Sequence, residues 1–415
     1  MTIKNGVTQA PLNILITGGR APAALELARL LHHAGHRVYA AESAASHLCR
    51  VSSAVEESFR LAPPRQQPQR FLEELETLIV RLRIDLLIPT CEEIFYIARG
   101  LERLRGHCKV LSPGLGQLRQ LHHKGEFIEL ARRLGFKVPH TELITSAEEW
   151  EAVREPGNFS SGSKVFKPAY SRFASRVIMP NEFGRDQADR RPGSVPVHIP
   201  VPQITPAAPW VAQEFIQGKA LCTYSVVHDG RVVAHAAYES RYRTGKIGAS
   251  VYFKHVDHAL AHDWVTRFTG SLRFSGQIGF DFIEARDGTL YPIECNPRAT
   301  SGIHLFAAGG GLEQALAAPD RLVRAKRTVT PHDGSAAMIT LAMLGCGLRG
   351  NRSRQDWAAW LDSLRRARDV IWRNDDPRPF LEQVRIVCSA WRLSRQLGIT
   401  MTEALTQDIE WNGET

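Results

Sequence analysis

The stretch Gly279-Phe280-Asp281-Phe282-Ile283-Glu284-Ala285-Arg286-Asp287-Gly288-Thr289-Leu290-Tyr291-Pro292-Ile293-Glu294-Cys295-Asn296-Pro297-Arg298 decides how the rest of the chain is read. Alternating apolar and polar residues flank Asp287-Gly288, the pattern of two strands joined by a tight turn. A two-residue loop sets Asp281 directly opposite Glu294. Two carboxylates about 5 Å apart repel unless something neutralises them, and a divalent cation is the obvious neutraliser. The two-residue period puts Asn296 on the face of Glu294, and Phe280, Phe282, Ile293 and Cys295 on the opposite, buried face. An all-oxygen cluster of this kind suits Mg²⁺ shared with substrate phosphates, and Arg298, just beyond, is placed to meet a phosphate fork-on. The plainer reading is an exposed polar hairpin face, and Pro292 warns of a bulge in the register.

Working outward, Lys164-Val165-Phe166-Lys167-Pro168-Ala169-Tyr170-Ser171-Arg172-Phe173-Ala174-Ser175-Arg176-Val177 has a lysine leaving a strand and a small-residue turn that could lie over phosphates. No Walker A loop exists, because Gly218-Lys219 runs into Ala220 and Gly245-Lys246 into Ile247. Near the start, strand Asn13 to Thr17, helix Pro22 to His33, Gly35 and strand Arg37 to Ala41 make a βαβ unit. A helix from Pro68 to Leu82 and a buried strand from Ile84 to Ile88 continue it, so a parallel, doubly wound sheet is expected. After a helical pattern from Lys124 to Phe136 the period becomes two. Val165-Phe166, Val211-Ala212, Leu221 to Val227, Val232 to Tyr238 and Ile278 to Ile283 read as antiparallel strands, with Asp229-Gly230 as a second hairpin turn. Residues 180–209 carry seven prolines and read as a long mobile loop. Beyond Gly309-Gly310-Gly311 the pattern is helical, notably Arg354 to Asp369 and Pro379 to Leu397. Trp357, Trp360, Trp372 and Trp391 are expected in the core there.

With 415 residues, 43% hydrophobic and 23% charged, the composition is that of an ordinary globular protein and excludes collagen, coiled coil and wholesale disorder. The apolar run from Ser335 to Leu348 falls short of the roughly 20 residues of a membrane span, and the N-terminus lacks the order of a signal peptide. A cytoplasmic chain without membrane contact is expected. The seven cysteines form no C-x-x-C pair, so neither a disulfide framework nor a zinc finger is spelled out. Lys and Arg number 52 against 43 Asp and Glu, and the arginines are scattered through helices, which favours an anionic small molecule over nucleic acid.

Four features compete for attention. Thr17-Gly18-Gly19-Arg20-Ala21-Pro22 with Glu42 suggests a dinucleotide site but lacks G-x-G-x-x-G. Thr90-Cys91-Glu92-Glu93 reads equally as a capping box and as a substrate contact at the carboxyl end of a parallel strand. His255, His258 and His262 have metal-ligand spacing on a helix, although a solvated face is the better reading. Gly248-Ala249-Ser250-Val251-Tyr252 begins like a nucleophile elbow but has no second glycine.

Taken together, the residues from about Leu12 to Phe306 resemble the ATP-grasp superfamily, in particular its carbamoyl-phosphate-synthetase-like branch. Glu294-Cys295-Asn296-Pro297-Arg298 is similar to the family's E-x-N-P-R element, and Asp281 to the metal ligand on the preceding strand. The resemblance implies ATP with Mg²⁺ or Mn²⁺ held by Asp281, Glu294 and Asn296, with Arg298 and Lys167 acting on the phosphates. It implies further nucleotide contacts from Lys124, from Ser171, Arg172 and Ser175 in a flexible phosphate loop, and from the hinge Gln213, Glu214, Phe215 and Ile216. The loop has no glycine between Lys167 and Val177, and Ala220 stands where a ribose-binding glutamate is common. The implied fold is mixed α/β and α+β: a Rossmann-like parallel-sheet domain over 1–118, an ATP-grasp region with antiparallel sheets over 119–310, and a helical region over 311–415. The implied activity is a carboxylate–amine ligase, of amino-acid or peptide type, that passes through an acyl phosphate and releases ADP and phosphate. A carbamoyl-phosphate-type phosphotransferase and a non-catalytic ATP sensor are the alternatives. Partners would be a small carboxylate and an amine, with Glu93, Arg241, Arg243, Ser301 and His304 as candidate substrate contacts; a homodimer stays open.

Overall fold

The computed structural model describes residues 10–154, 164–170, 177–179, 204–243, 250–350 and 353–413. Residues 180–203 of the expected mobile loop lie outside them, while 204–209 include a short turn in which the Ala208 amide donates to the Thr205 carbonyl. The chain forms two compact units that are discontinuous in sequence: Met1–Ser112 with Ala307–Ala318 and Ile371–Ile409, and Pro113–Phe306 with Pro319–Val370 and Glu410–Thr415. The stretch after residue 310 is thus shared between the two.

The first unit is built on five parallel strands, β1 (Asn13–Thr17), β2 (Arg37–Glu42), β3 (Glu57–Arg60), β4 (Leu86–Ile88) and β5 (Lys109–Val110), in the order β3-β2-β1-β4-β5. Ile14, Leu15 and Ile16 are fully buried, as a strand covered on both faces requires. The helix Pro22–His33 starts with proline at its first position, where a missing N–H costs nothing, and buries Leu25, Leu27, Leu30 and Leu31. It also buries Glu26 and Arg29, and both find partners more than 340 residues along the chain. Arg29 Nε donates to Asp376 at 2.9 Å and Arg373 to Glu26 at 2.6 Å. These pairs help fasten the segment that carries the helix Arg378–Leu397 to the sheet domain.

The second unit holds two sheets. Strands β6 (Thr141–Ile144), β7 (Lys164–Pro168) and β8 (Trp210–Glu214) form a small antiparallel sheet over a core of Trp150, Phe166 and Trp210. The larger sheet runs β13-β12-β9-β10-β11-β14-β15, where β9 is Gly218–His228, β10 Arg231–Glu239, β11 Tyr252–Val256, β12 Gly276–Ala285, β13 Leu290–Asn296, β14 Ala336–Met338 and β15 Arg368–Asp369. All its pairings are antiparallel except β14 with β15. One face packs on the helix Ala259–Ser271, where Trp264 and Phe268 stack at 4.8 Å, Trp264 meets Phe280 and Phe282 edge-on, and Phe268 meets Phe280 edge-on. Full burial of each such ring is worth about 1.5–3 kcal/mol.

Several expectations are corrected. At Asp229-Gly230 both residues have positive φ, as a two-residue type I′ turn demands. The β12–β13 loop is instead three residues, since the Ala285 amide bonds Thr289 and only Gly288 turns left-handed, at φ 79°. A bulge after Asp281 then shifts the register by one, so Phe282 pairs with Pro292 while Asp281 still pairs with Glu294. The same bulge takes Ile293 out of the buried face. Of the four tryptophans expected inside, Trp360 is buried but Trp357, Trp372 and Trp391 are exposed: Trp357 and Trp391 lie on the outer sides of their helices, and Trp372 lies in the segment between β15 and the helix Arg378–Leu397. Nor do the three histidines share a helix: His255 ends in β11, His258 caps the helix by accepting from the Ala261 amide, and only His262 lies within it.

Candidate active site

The hairpin β12–β13 forms the floor of a cavity of about 390 Å³ within the second unit. Asp281, Glu294, Asn296 and Arg298 line it from below, and Lys167, Gln213, Glu214, Phe215 and Ile216 from the small sheet. Gly279 makes room for the chain beyond Arg298 to fold back, since a Cβ there would collide with the Thr300 side chain and the Thr223 carbonyl. Pairing across three strands then stacks Cys222 on β9, Asp281 on β12 and Glu294 on β13 in one row.

Charge dominates this floor. Lys167 is buried, its Nζ donating to Gln213 Oε1 at 3.0 Å and to the Ile293 carbonyl at 3.1 Å, an acceptor that the bulge presents. Lys124, at the start of the helix Lys124–Arg133, is buried behind Glu294 with Nζ 3.6 Å from Oε2, and its amide donates to the Ala169 carbonyl. The Asn296 amide donates to Glu294 at 3.3 Å and accepts from Arg298 at 3.1 Å. Burial and the neighbouring Glu294 charge push the Asp281 carboxyl up. Burial would raise Glu294 too, but Lys124, Lys167 and Arg298 outweigh it and hold that carboxylate low. Burial, reinforced by Lys124 and opposed by Glu294, brings the Lys167 ammonium down to about 8. With Arg243 also lining the cavity, four cations stand against the three carboxylates Asp281, Glu294 and Glu214, a positive balance that suits a polyanion.

Among the described residues no group of three His, Cys, Asp or Glu side chains is set to hold a metal. What the floor offers is two opposed carboxylates and an amide oxygen, all hard donors, with Asp281 still repelled by its partner. That set fits Mg²⁺, which takes one or two carboxylates and fills its octahedron with water and phosphate oxygens.

Not every expected residue arrives here. Ser171, Arg172 and Ser175 lie outside the described residues, as do Gly248 and Ala249. Arg243 and Ser301 line the cavity, whereas Arg241 is exposed and sits over the Tyr242 ring, and His304 is buried and stacks on Phe253. Glu93 belongs to the first unit, where it is buried, accepts from the Thr17 hydroxyl at 2.7 Å and from the Thr90 amide at 3.0 Å, and ties β1 to the turn after β4. Thr90 uses its own hydroxyl on the Thr17 carbonyl, so only half of the capping box forms. At the end of β2, Glu42 is consumed by Arg20, whose Nη2 lies 2.6 Å from it and 2.6 Å from Asp408. No acid is left there for a dinucleotide ribose. Cys222, Tyr238 and Thr300, which also line the cavity, escaped the sequence reading. The β9–β12 register, a pairing between distant segments, is the signal that would have found Cys222.

No family model and no curated protein sequence matches this chain. Solved structures do. An L-amino acid ligase from Bacillus licheniformis superposes with TM-score 0.55 over 74% of this chain and 75% of its own, at 14% identity. Phosphoribosylamine–glycine ligase from Thermotoga maritima gives 0.55 over 78% of each chain at 14% identity. Biotin carboxylase from Campylobacter jejuni gives 0.54 over 74% of this chain and 71% of its own at 12% identity. The fold is that of the ATP-grasp ligases. The likeness is one of fold: a parallel-sheet α/β unit and a unit of two sheets.

Proposed function

We propose that this protein is an ATP- and Mg²⁺-dependent ligase that joins a small carboxylic acid to an amine, releasing ADP and phosphate. The observation that carries the reading is the surplus of buried or cavity-lining cations, Lys124, Lys167, Arg243 and Arg298, around the opposed pair Asp281 and Glu294. Phosphoryl transfer asks a protein for positioning and charge neutralisation more than for covalent help, and this floor supplies both. Supporting it, two of the structural neighbours carry ligation of an amino acid in their names, and the biotin carboxylase was solved with an ATP compound.

In this reading Phe215 and Ile216 flank the base at the hinge after β8, with Gln213 and Glu214 beside them. Lys167 and Lys124 take the phosphates. Asp281, Glu294 and Asn296 would hold the metal, which when bound supplies charge neutralisation on the phosphate oxygens. Arg298, braced by Asn296, faces the phosphoryl group in flight. Arg243 and Ser301 lie on the same cavity wall and are the candidate contacts for the acid. The acid's carboxylate oxygen attacks the γ-phosphorus, the bond to the β-phosphate oxygen breaks, and ADP leaves; the amine then displaces phosphate from the acyl phosphate.

No catalytic triad or activated cysteine accompanies the described cavity; the half-buried Cys222 and the buried Cys295 are thiols held well above the ordinary range by desolvation and the neighbouring carboxylates. A free acyl phosphate is thus favoured over an acyl-enzyme. Hydroxylamine, supplied with ATP and a panel of amino and hydroxy acids but no amine, should yield a hydroxamate with ADP as the nucleotide product. AMP and pyrophosphate in its place would reject the γ-phosphoryl transfer.

A further inference from the structure

The helix Arg378–Leu397 packs through one side only. Pro379, Glu382 and Ala390 are buried, while Leu381 is 67%, Val384 64%, Val387 53% and Trp391 55% exposed, with Cys388 exposed among them. Singly exposed apolar residues are ordinary; five on one face of one helix are not. Their spacing is specific. Leu381, Val384, Cys388 and Trp391 follow the three-and-four alternation of a coiled-coil seam. Arg378, Arg385 and Arg392 recur every seven residues, which places them in a row along one border of that seam. The other border carries Val387 and Ser394 and no charge.

We propose that this face docks an amphipathic helix of another protein, with an apolar seam and a row of acidic residues facing Arg378, Arg385 and Arg392. Charge complementarity selects this occupant. The only acid of the helix, Glu382, is buried and shared by Arg50 at 2.6 Å and Arg385 at 3.3 Å, so one negative charge stands against Arg50 and the three arginines and the row stays net positive. A second copy packed antiparallel sets the arginine row against itself, and one packed parallel sets it against Val387 and Ser394; neither supplies the missing anions. A membrane-lying helix carries basic residues over its exposed polar face, whereas here the face opposite the seam is packed against the protein. The proposal is independent of the assigned reaction.

The probe is a fluorescent three-heptad peptide with leucine at both seam positions and glutamate at both flanking positions, read by anisotropy, beside an otherwise identical peptide carrying lysine for glutamate. The wild-type protein should bind the acidic peptide saturably and the basic one at least about tenfold more weakly, since like charges along a seam disfavour pairing. Arg378→Glu with Arg392→Glu should invert that preference, and Leu381→Ser with Trp391→Ser should abolish binding of both without lowering the melting temperature. Absence of saturable binding, or equal binding of the two peptides, overturns the proposal. So does a wild-type dimer in light scattering that the serine variant dissolves, which identifies a second copy as the occupant. Co-flotation with anionic phosphatidylglycerol vesicles that the serine variant loses, in the absence of peptide binding, assigns the face to lipid and equally overturns it.

Discussion

Lys167 has a distinctive consequence for pH. Its ammonium is buried between an amide oxygen and a backbone carbonyl, and burial brings its pKa from the usual 10.5 to about 8. An unfolded chain leaves the same lysine at its ordinary value, so between those limits the unfolded state binds more protons than the folded one. The nucleotide-free protein should therefore gain stability as pH rises from about 8 toward 10. ATP binding should behave in the opposite sense, holding steady below pH 8 and weakening above it, because phosphate favours the charged ammonium. Calorimetric titration and thermal melts over pH 7–10, on the wild type and on Lys167→Met, check both slopes; the variant should lose each. At this scale the sequence was informative where chemistry and spacing coincide, as in Glu294, Asn296 and Arg298. It was silent on Cys222, whose place beside Asp281 depends on a strand pairing that no local pattern encodes.

Among the elements, the β12–β13 hairpin explains how a correct pairing can follow from an incorrect loop. The extra turn residue and the bulge after Asp281 displace the register in opposite senses, and the carboxylates meet as a two-residue turn would have them meet. Proline at 292 announced the irregularity but not its effect, which is to turn the Ile293 carbonyl toward Lys167. Helices and strands with strong periodicity were legible to within a few residues, as Pro22–His33 and Asn13–Thr17 illustrate. Trp357 and Trp391 were misplaced because period alone does not tell which side of a helix meets the protein, and Trp372 because it lies between elements. One of the others, Trp411, is buried and meets Tyr170 edge-on at 5.2 Å and His122 at 6.3 Å, while His123 meets Tyr170 at 4.8 Å. These rings brace the junction where the Lys124 amide bonds the Ala169 carbonyl. Trp411→Ala should therefore raise KM for ATP by about tenfold with a smaller effect on kcat, the signature of lost ground-state binding, and Trp411→Phe should recover most of it. Steady-state kinetics at saturating acid and amine check this.

For the whole molecule, the arrangement of the chain end was beyond sequence reading, since only contacts reveal that 371–409 completes the parallel-sheet unit and 410–415 the other. Asp376 is central to the first attachment. Burial would raise its carboxyl, but hydrogen bonds from Ser52 and Ser53 and the charge of Arg29 hold it low. Removing one partner of a buried ion pair typically costs about 3–5 kcal/mol, because the other charge is stranded. Asp376→Ala should accordingly lower the unfolding transition of the first unit by that amount, while Mg-ATP still protects the second unit in differential scanning calorimetry.

The late return of residues 371–409 to the parallel sheet also fixes when that sheet can be completed. A domain made of consecutive residues can fold as it leaves the ribosome, N-terminal part first. Here strands β1 to β5 emerge early, yet Arg29, Glu26 and Arg20 must wait for Asp376, Arg373 and Asp408, more than 340 residues further along the chain. Until residues 371–409 have been made, the first unit carries charged groups beside its core without these counter-ions, so it cannot be completed before then. A frameshift just past residue 370 would spare every residue that lines the cavity and still deprive the parallel-sheet unit of 371–409.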